Sequence, residues 1–153
     1  MTGTYAAKTE VPQSRSRDEI ERTLTRYGAQ QFMYGWDGDN WVVGFVHTGR
    51  QIRFVLPQPN RKDYRLTSQG RPRTQSSWDE AVEQAGRQKW RALALVVKAK
   101  LEAVEAGIVT FEDEFAMHMV LPDGSTVREQ VLPRLALAYE SGEVPALLPG
   151  PTS

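Results

Sequence analysis

The sequence has no cysteine, so disulfide staples and thiolate metal centres are excluded and no oxidising compartment is needed. No apolar run approaches the ~20 residues of a membrane-spanning helix. The opening residues, MTGTYAAKTEVPQSRSR, lack the apolar stretch of a secretory leader. The expectation is a soluble, cytoplasmic chain with no membrane partner. Glycine-rich phosphate loops are missing, with neither G-x-G-x-x-G nor G-x-x-x-x-G-K present, and so are serine-nucleophile motifs. Histidines number two. His118 follows Glu114 by four residues, but the third ligand a metal enzyme needs has no candidate. Asp37-Gly38-Asp39 resembles the start of a calcium loop without its later glutamate, and reads better as a turn. The chain is therefore expected to be non-enzymatic, with no metal and no cofactor.

What is present is ordinary in amount and unusual in placement. The 153 residues suit one domain, and a net charge of zero hides a segregation. Residues 1–49 carry −1, residues 50–100 carry +8 and residues 101–153 carry −7. Such asymmetry fits a polyanion-binding surface, two surfaces that meet in an oligomer, or pairing between the segments inside one chain.

Residues 1–15 are polar, contain Pro12 and lack periodicity, so a flexible tail is expected there. Ser16 and Glu19 have the spacing of a capping box, and Ile20, Leu24 and Tyr27 follow at helical intervals up to Gly28. This predicts a helix over 17–27. A second capping box, Ser77 with Glu80, predicts a long helix to Ala106 closed by Gly107, its buried stripe formed by Trp90, Leu93, Val97, Leu101 and Val104. Thr110 caps a short acidic turn, residues 117–121 read as a short fourth strand, and Thr126 opens a last helix to about Ser141 that contains Pro133. Residues 143–153 form a proline-rich tail, leaving a single domain over 16–142.

Between the first two helices lie three strands. If Gly38-Asp39 and Thr48-Gly49 are two-residue hairpin loops, the register follows at once. Phe32, Phe45 and Ile52 form one row, Tyr34, Val43 and Phe54 the next, and Trp36, Trp41 and Leu56 the last. Strand alternation puts all nine on one face. Burying each such side chain stabilises the fold by roughly 1.5–3 kcal/mol, so this face reads as core for the long helix to cover. Trp36 and Trp41, at the end of the ladder, are the members expected to be accessible. The predicted class is α+β: a three- to four-stranded antiparallel sheet, one long helix on its aromatic face and shorter flanking helices.

The connection over 57–76 holds Arg61, Lys62, Arg65, Arg71 and Arg73 around Tyr64. Long connections of this kind are usually functional or disordered. Arg87 and Arg91 on the following helix, with Arg50 and Arg53 from the second hairpin, extend the basic set. Cations beside aromatic rings supply phosphate contacts and base stacking, the combination that binds single strands without reading sequence. The expected partner is single-stranded DNA, with Trp36, Trp41 and Tyr64 as stacking residues. The competing expectation is a self-assembly or protein-interaction module joining basic and acidic surfaces, with a homo-oligomer as its outcome.

The stretch KWRALALVVKAKLEAVEAGIVTFEDEF together with LPDG resembles a group of uncharacterised small proteins of actinobacterial phages and prophages. The resemblance covers most of the chain from Ser16 to Gly150 and implies a mobile-element context. It carries over no activity and no catalytic residue. The succession of strands and a long helix is similar in architecture to whirly-type folds that bind single-stranded DNA.

Overall fold

A computed structural model of the chain describes residues 2–151, with side chains from residue 14 onward. The tail expected over 1–15 therefore lies, up to residue 13, outside the described side chains, and so do Thr152 and Ser153 of the C-terminal tail. The element order is α1 (Thr2–Arg26), β1 (Gln31–Asp37), β2 (Asn40–His47), β3 (Arg50–Pro57), α2 (Gln75–Glu105), α3 (Phe111–Phe115) and α4 (Val127–Ser141), with 3₁₀ turns at Arg61–Tyr64 and Ala116–His118. The fold is α+β, a three-stranded antiparallel meander with a long helix on one face and shorter helices around it.

The hairpin register agrees with the expectation at every row: Phe32–Phe45–Ile52, Tyr34–Val43–Phe54 and Trp36–Trp41–Leu56. The two loops achieve it differently. Gly38 has φ +59° while Asp39 does not enter the left-handed region, the pattern of a type II′ turn. Thr48 and Gly49 have φ +48° and +76°, the type I′ pattern, which is costly for a β-branched threonine. The Thr48 hydroxyl donates back to the His47 carbonyl at 2.8 Å.

The aromatic face is the core. Trp90 of α2 is fully buried, with its ring 5.4 Å from Tyr34 edge-on and 5.5 Å from Trp41. Phe115 of α3 plugs the other end, edge-on to Phe45 at 5.8 Å and to Phe54 at 6.3 Å. Ile20 and Leu24 of α1 and Leu93, Val97 and Leu101 of α2 complete the cluster. Arg17 stacks on Tyr34, while the Tyr27 carbonyl meets His47 at the far end. Trp90 and Lys100 mark the same two ends for α2. Helices α1 and α2 therefore run side by side in the same direction, from the Trp36 end of the sheet to the His47 end.

Three local expectations change. Ser16 is interior to α1, because the chain is already helical before it and the amides at 18 and 19 are no longer orphans. Helix α2 starts earlier than Ser77: Thr74 is its N-cap and accepts from the Ser77 amide at 3.2 Å. The fourth strand is reduced to two isolated bridges, Met119 to Ile52 of the sheet and Val120 to Thr126, with the Val120 amide donating to the Gln51 carbonyl at 2.8 Å before the chain turns at Asp123-Gly124. The capping boxes at Thr110–Asp113 and Thr126–Glu129 are present, and Gly142 at φ +74° ends α4.

Candidate nucleic-acid interface

The Gln58 amide donates to the Asp39 carbonyl at 2.9 Å. This bond fastens the start of the basic connection to the tip of the β1–β2 hairpin, beside the row that carries Trp36 and Trp41. The connection is ordered. Its 3₁₀ turn is capped by Asn60, and the residues after it form a miniature hairpin in which Leu66 pairs with Pro72, turning at Gly70 with φ +80°. The organising residue is Trp78 in the first turn of α2. Its indole Nε1 donates to the Arg61 carbonyl at 2.8 Å, and the guanidinium groups of Arg61 and Arg65 lie over its ring at 4.2 and 5.0 Å. Arg61 also pairs with Asp79. Arg65 Nη1 donates to the Arg73 carbonyl at 2.9 Å, and Arg73 Nη1 to Ser77 Oγ at 3.3 Å.

The basic residues thus divide into two groups. Arg61, Arg65 and Arg73 shape the connection. Lys62, Arg71 and Arg91 are exposed and make no ion pair among the described residues; Arg87 is half-buried and likewise has none. Between connection and helix lies a cleft of about 290 Å³ lined by Tyr64, Arg73, Ser77, Gln84 and Gln88 among others. Arg73 Nε is buried with no hydrogen-bond partner. Trp36 stands 70% exposed at the same end of the sheet, and Arg17 covers Tyr34 at 4.3 Å one row inward.

Trp41 departs from expectation. It is 7% exposed and packed against Trp90, so it belongs to the core and offers no stacking surface. The cause is topological: β2 is the central strand and β1 an edge, so the same cross-strand row buries one tryptophan and leaves its partner in water. Arg50 and Arg53 also lie apart from the basic end. Arg50, beside the β2–β3 turn at the opposite end of the sheet, pairs with Glu112 at 3.5 Å. Arg53, on the outer face, donates to the Gly124 carbonyl at 2.9 Å and meets Glu129 at 3.4 Å. With Lys100–Glu114 at 2.9 Å, these make three ion pairs that join the basic middle of the chain to its acidic third within one molecule.

Trp78 and Arg17 are the residues that the sequence reading missed. A tryptophan in the first turn of a helix that follows an arginine-rich connection is a usable signal for Trp78, because indole is the best ring for guanidinium stacking. Arg17 carried no such signal, since its partner Tyr34 lies across the chain. At the acidic end, His47 Nε2 donates to the Tyr27 carbonyl at 3.1 Å and its ring stacks on Phe111 at 4.3 Å. His118 stacks on Phe54 at 4.1 Å. Burial, then the charges of Lys100 and Arg128, lower its pKa from the ordinary 6.5. Among the described residues no three histidine or carboxylate side chains converge as metal ligands. No described helix is long and apolar enough to cross a membrane.

Compared with family models, curated proteins and solved structures, the chain matches none.

Proposed function

We propose that the basic end of this domain binds single-stranded nucleic acid, DNA in the first instance, as a non-enzymatic protein in the replication or recombination of a phage or other mobile element, acting in the cytoplasm. The supporting observation is the Gln58–Asp39 bond, which brings the basic connection to the hairpin end that carries the exposed Trp36. Lys62, Arg71, Arg87 and Arg91 supply phosphate contacts, and Trp36 supplies a stacking face. Tyr64 and Arg73 line the neighbouring cleft together with Ser77, Glu80, Gln84 and Gln88, whose amides and hydroxyls would meet a base edge.

The reading is tested by fluorescence-anisotropy titration of labelled single- and double-stranded DNA at low and moderate salt. The expected result is salt-sensitive binding that prefers single strands. Lys62→Glu with Arg71→Glu weakens both the affinity and its salt dependence, the slope falling by ~1 for each phosphate no longer neutralised. Trp36→Ala costs about 1–3 kcal/mol on single strands and little on duplex. Absence of binding at low salt overturns the proposal. So does binding that is indifferent to both changes.

A further inference from the structure

The cleft between the basic connection and α2 carries chemistry that phosphate-binding cations do not account for. Two rows of residues run side by side along α2 at intervals of one turn. Ser77, Ala81 and Ala85 form one row, and Glu80, Gln84 and Gln88 the other. The alanines make the floor, and their short side chains leave the space open. Tyr64, half-buried at the end of the 3₁₀ turn, and Arg73 form the other wall. Arg73 is held there by the bond from its Nη1 to Ser77 Oγ at 3.3 Å. The volume of about 290 Å³ lies at the small end of ligand clefts, which run from ~300 Å³ upward. It suits one planar heterocycle rather than a larger ligand.

The polar groups of the outer row are uncommitted. Glu80, Gln84 and Gln88 are exposed, and their side chains make no hydrogen bond or ion pair among the described residues. Glu80 is the one carboxylate among the described residues that line the cleft, and it decides what can enter. It repels a phosphate oxygen. The unpaired Lys62 and Arg71 do not line the cleft, so phosphates find their cations outside it. The group that enters must instead bring donors, because an ionised carboxylate only accepts.

Of the four DNA bases, guanine alone presents two adjacent donors on its Watson–Crick edge, N1–H and the 2-amino group, beside the acceptor O6. Adenine and cytosine offer one amino group next to a ring-nitrogen lone pair, which a carboxylate oxygen would meet head-on. Thymine offers one N–H between two carbonyls. A carboxylate with an amide one turn further along is therefore complementary to guanine. Glu80 and Gln84 are about 6 Å apart along the axis at ~1.5 Å per residue, within reach of one base edge for side chains of their length. We infer that this cleft selects guanine in an unpaired strand, with Glu80 accepting from N1–H and the 2-amino group, the Gln84 amide donating to O6, and Tyr64 bordering the ring. The inference rests on the single-strand reading of this end of the domain and adds a base preference to it. An unpaired strand is what the chemistry requires, since in a duplex the same edge is bound to cytosine, and splayed bases of single strands are the ones read on that edge. Free guanine nucleotides carry the same edge, and the experiment separates the two sources.

The test is fluorescence anisotropy of labelled oligothymidylate strands in which one central base is replaced by guanine, hypoxanthine, adenine or cytosine, on wild type and Glu80→Gln, with calorimetric titration of GMP and AMP alongside. The expected result is roughly tenfold tighter binding of the guanine strand than of the unsubstituted one, the discrimination typical of a bidentate base contact. Hypoxanthine keeps N1–H and O6 but lacks the 2-amino group, and falls between them. Glu80→Gln abolishes the guanine preference, while the all-thymine strand binds as well as before or better, because a charge that repels phosphate is gone. A general loss of fold would weaken both, and Glu80 is exposed. Equal binding of all strands overturns the guanine cleft and leaves the single-strand reading standing. A guanine preference that survives Glu80→Gln also overturns it. Binding of GMP over AMP without binding of any strand overturns the single-strand reading and gives the cleft to a free nucleotide. No response to any strand or to GMP overturns both.

Discussion

One sheet presents two faces of unlike fate. Inward, three rows of aromatic and branched side chains meet Trp90, Phe115 and the stripes of α1 and α2, and most of them vanish from water. Outward, the alternate residues are small or aliphatic in the middle of the sheet (Met33, Gly35, Val42, Gly44, Val46, Val55) and polar at Gln31, Asp37, Asn40, Gln51 and Arg53, and no described helix covers them as α1 and α2 cover the inner face. Both faces follow from one register, since a period of two sends every neighbour to the opposite side. The contrast shows that apolar character alone does not tell a core from an uncovered face. What separates them is whether the chain supplies a second layer, and here it supplies that layer to one side only.

The sharpest way to break the comparison is at Trp90. Trp90→Ala removes the ring against which Tyr34 and Trp41 pack, with an expected loss of about 3–5 kcal/mol, read as a large fall in the urea midpoint. Its indole Nε1 is buried without a partner, and Trp90→Phe, which removes that group, is expected to cost much less. A smaller change of opposite sign belongs to the turn that fixes the register of both faces. Thr48→Asn relieves a β-branched residue held at φ +48° and is expected to stabilise the fold by about 1 kcal/mol. A drop in thermal midpoint would count against that account.

His118 gives an effect confined to a window of pH. The folded chain favours the neutral imidazole because its pKa is lowered from 6.5, whereas the unfolded chain takes up the proton first as pH falls. Its contribution to stability is fully present above 6.5, declines as pH falls from there toward the lower folded value, and is constant below both. His118→Asn should flatten the stability profile across this window, measured by denaturant melts at successive pH values. The smallest effect is expected on the outer face. Met33→Ala in dilute protein should change stability by no more than about 0.5 kcal/mol, against the loss at Trp90 on the other side of the same sheet.

Much of this was legible in advance, and the failures share a cause. The register needed only alternation and two turn dipeptides, both local, and every row was readable. The boxes at Thr110 and Thr126 were equally local. Ser16 and Ser77 carry the same pattern, but a pattern of four residues does not reveal whether the helix is already under way; Thr74 three residues earlier is an equally good cap. Tryptophans 36 and 41 share a row, and only strand order, which is a tertiary fact, decides which is buried. The basic connection looked structureless because its order comes from Trp78, 17 residues from the arginine whose carbonyl it binds. The site was legible as a composition, and its division into shaping and unpaired cations was not.

The miniature hairpin at Leu66–Pro72 has a consequence for the chain as a covalent object. Its tip at Ser68–Gly70 is exposed and outside the core, while α1 with the sheet on one side and α2 on the other share nearly all the buried surface. Exposed polar loop tips are where proteases nick and where breaks in a chain are tolerated. The domain is thus separable there into two fragments that retain complementary halves of a single interior, a natural point at which to split the protein and ask the pieces to find each other again.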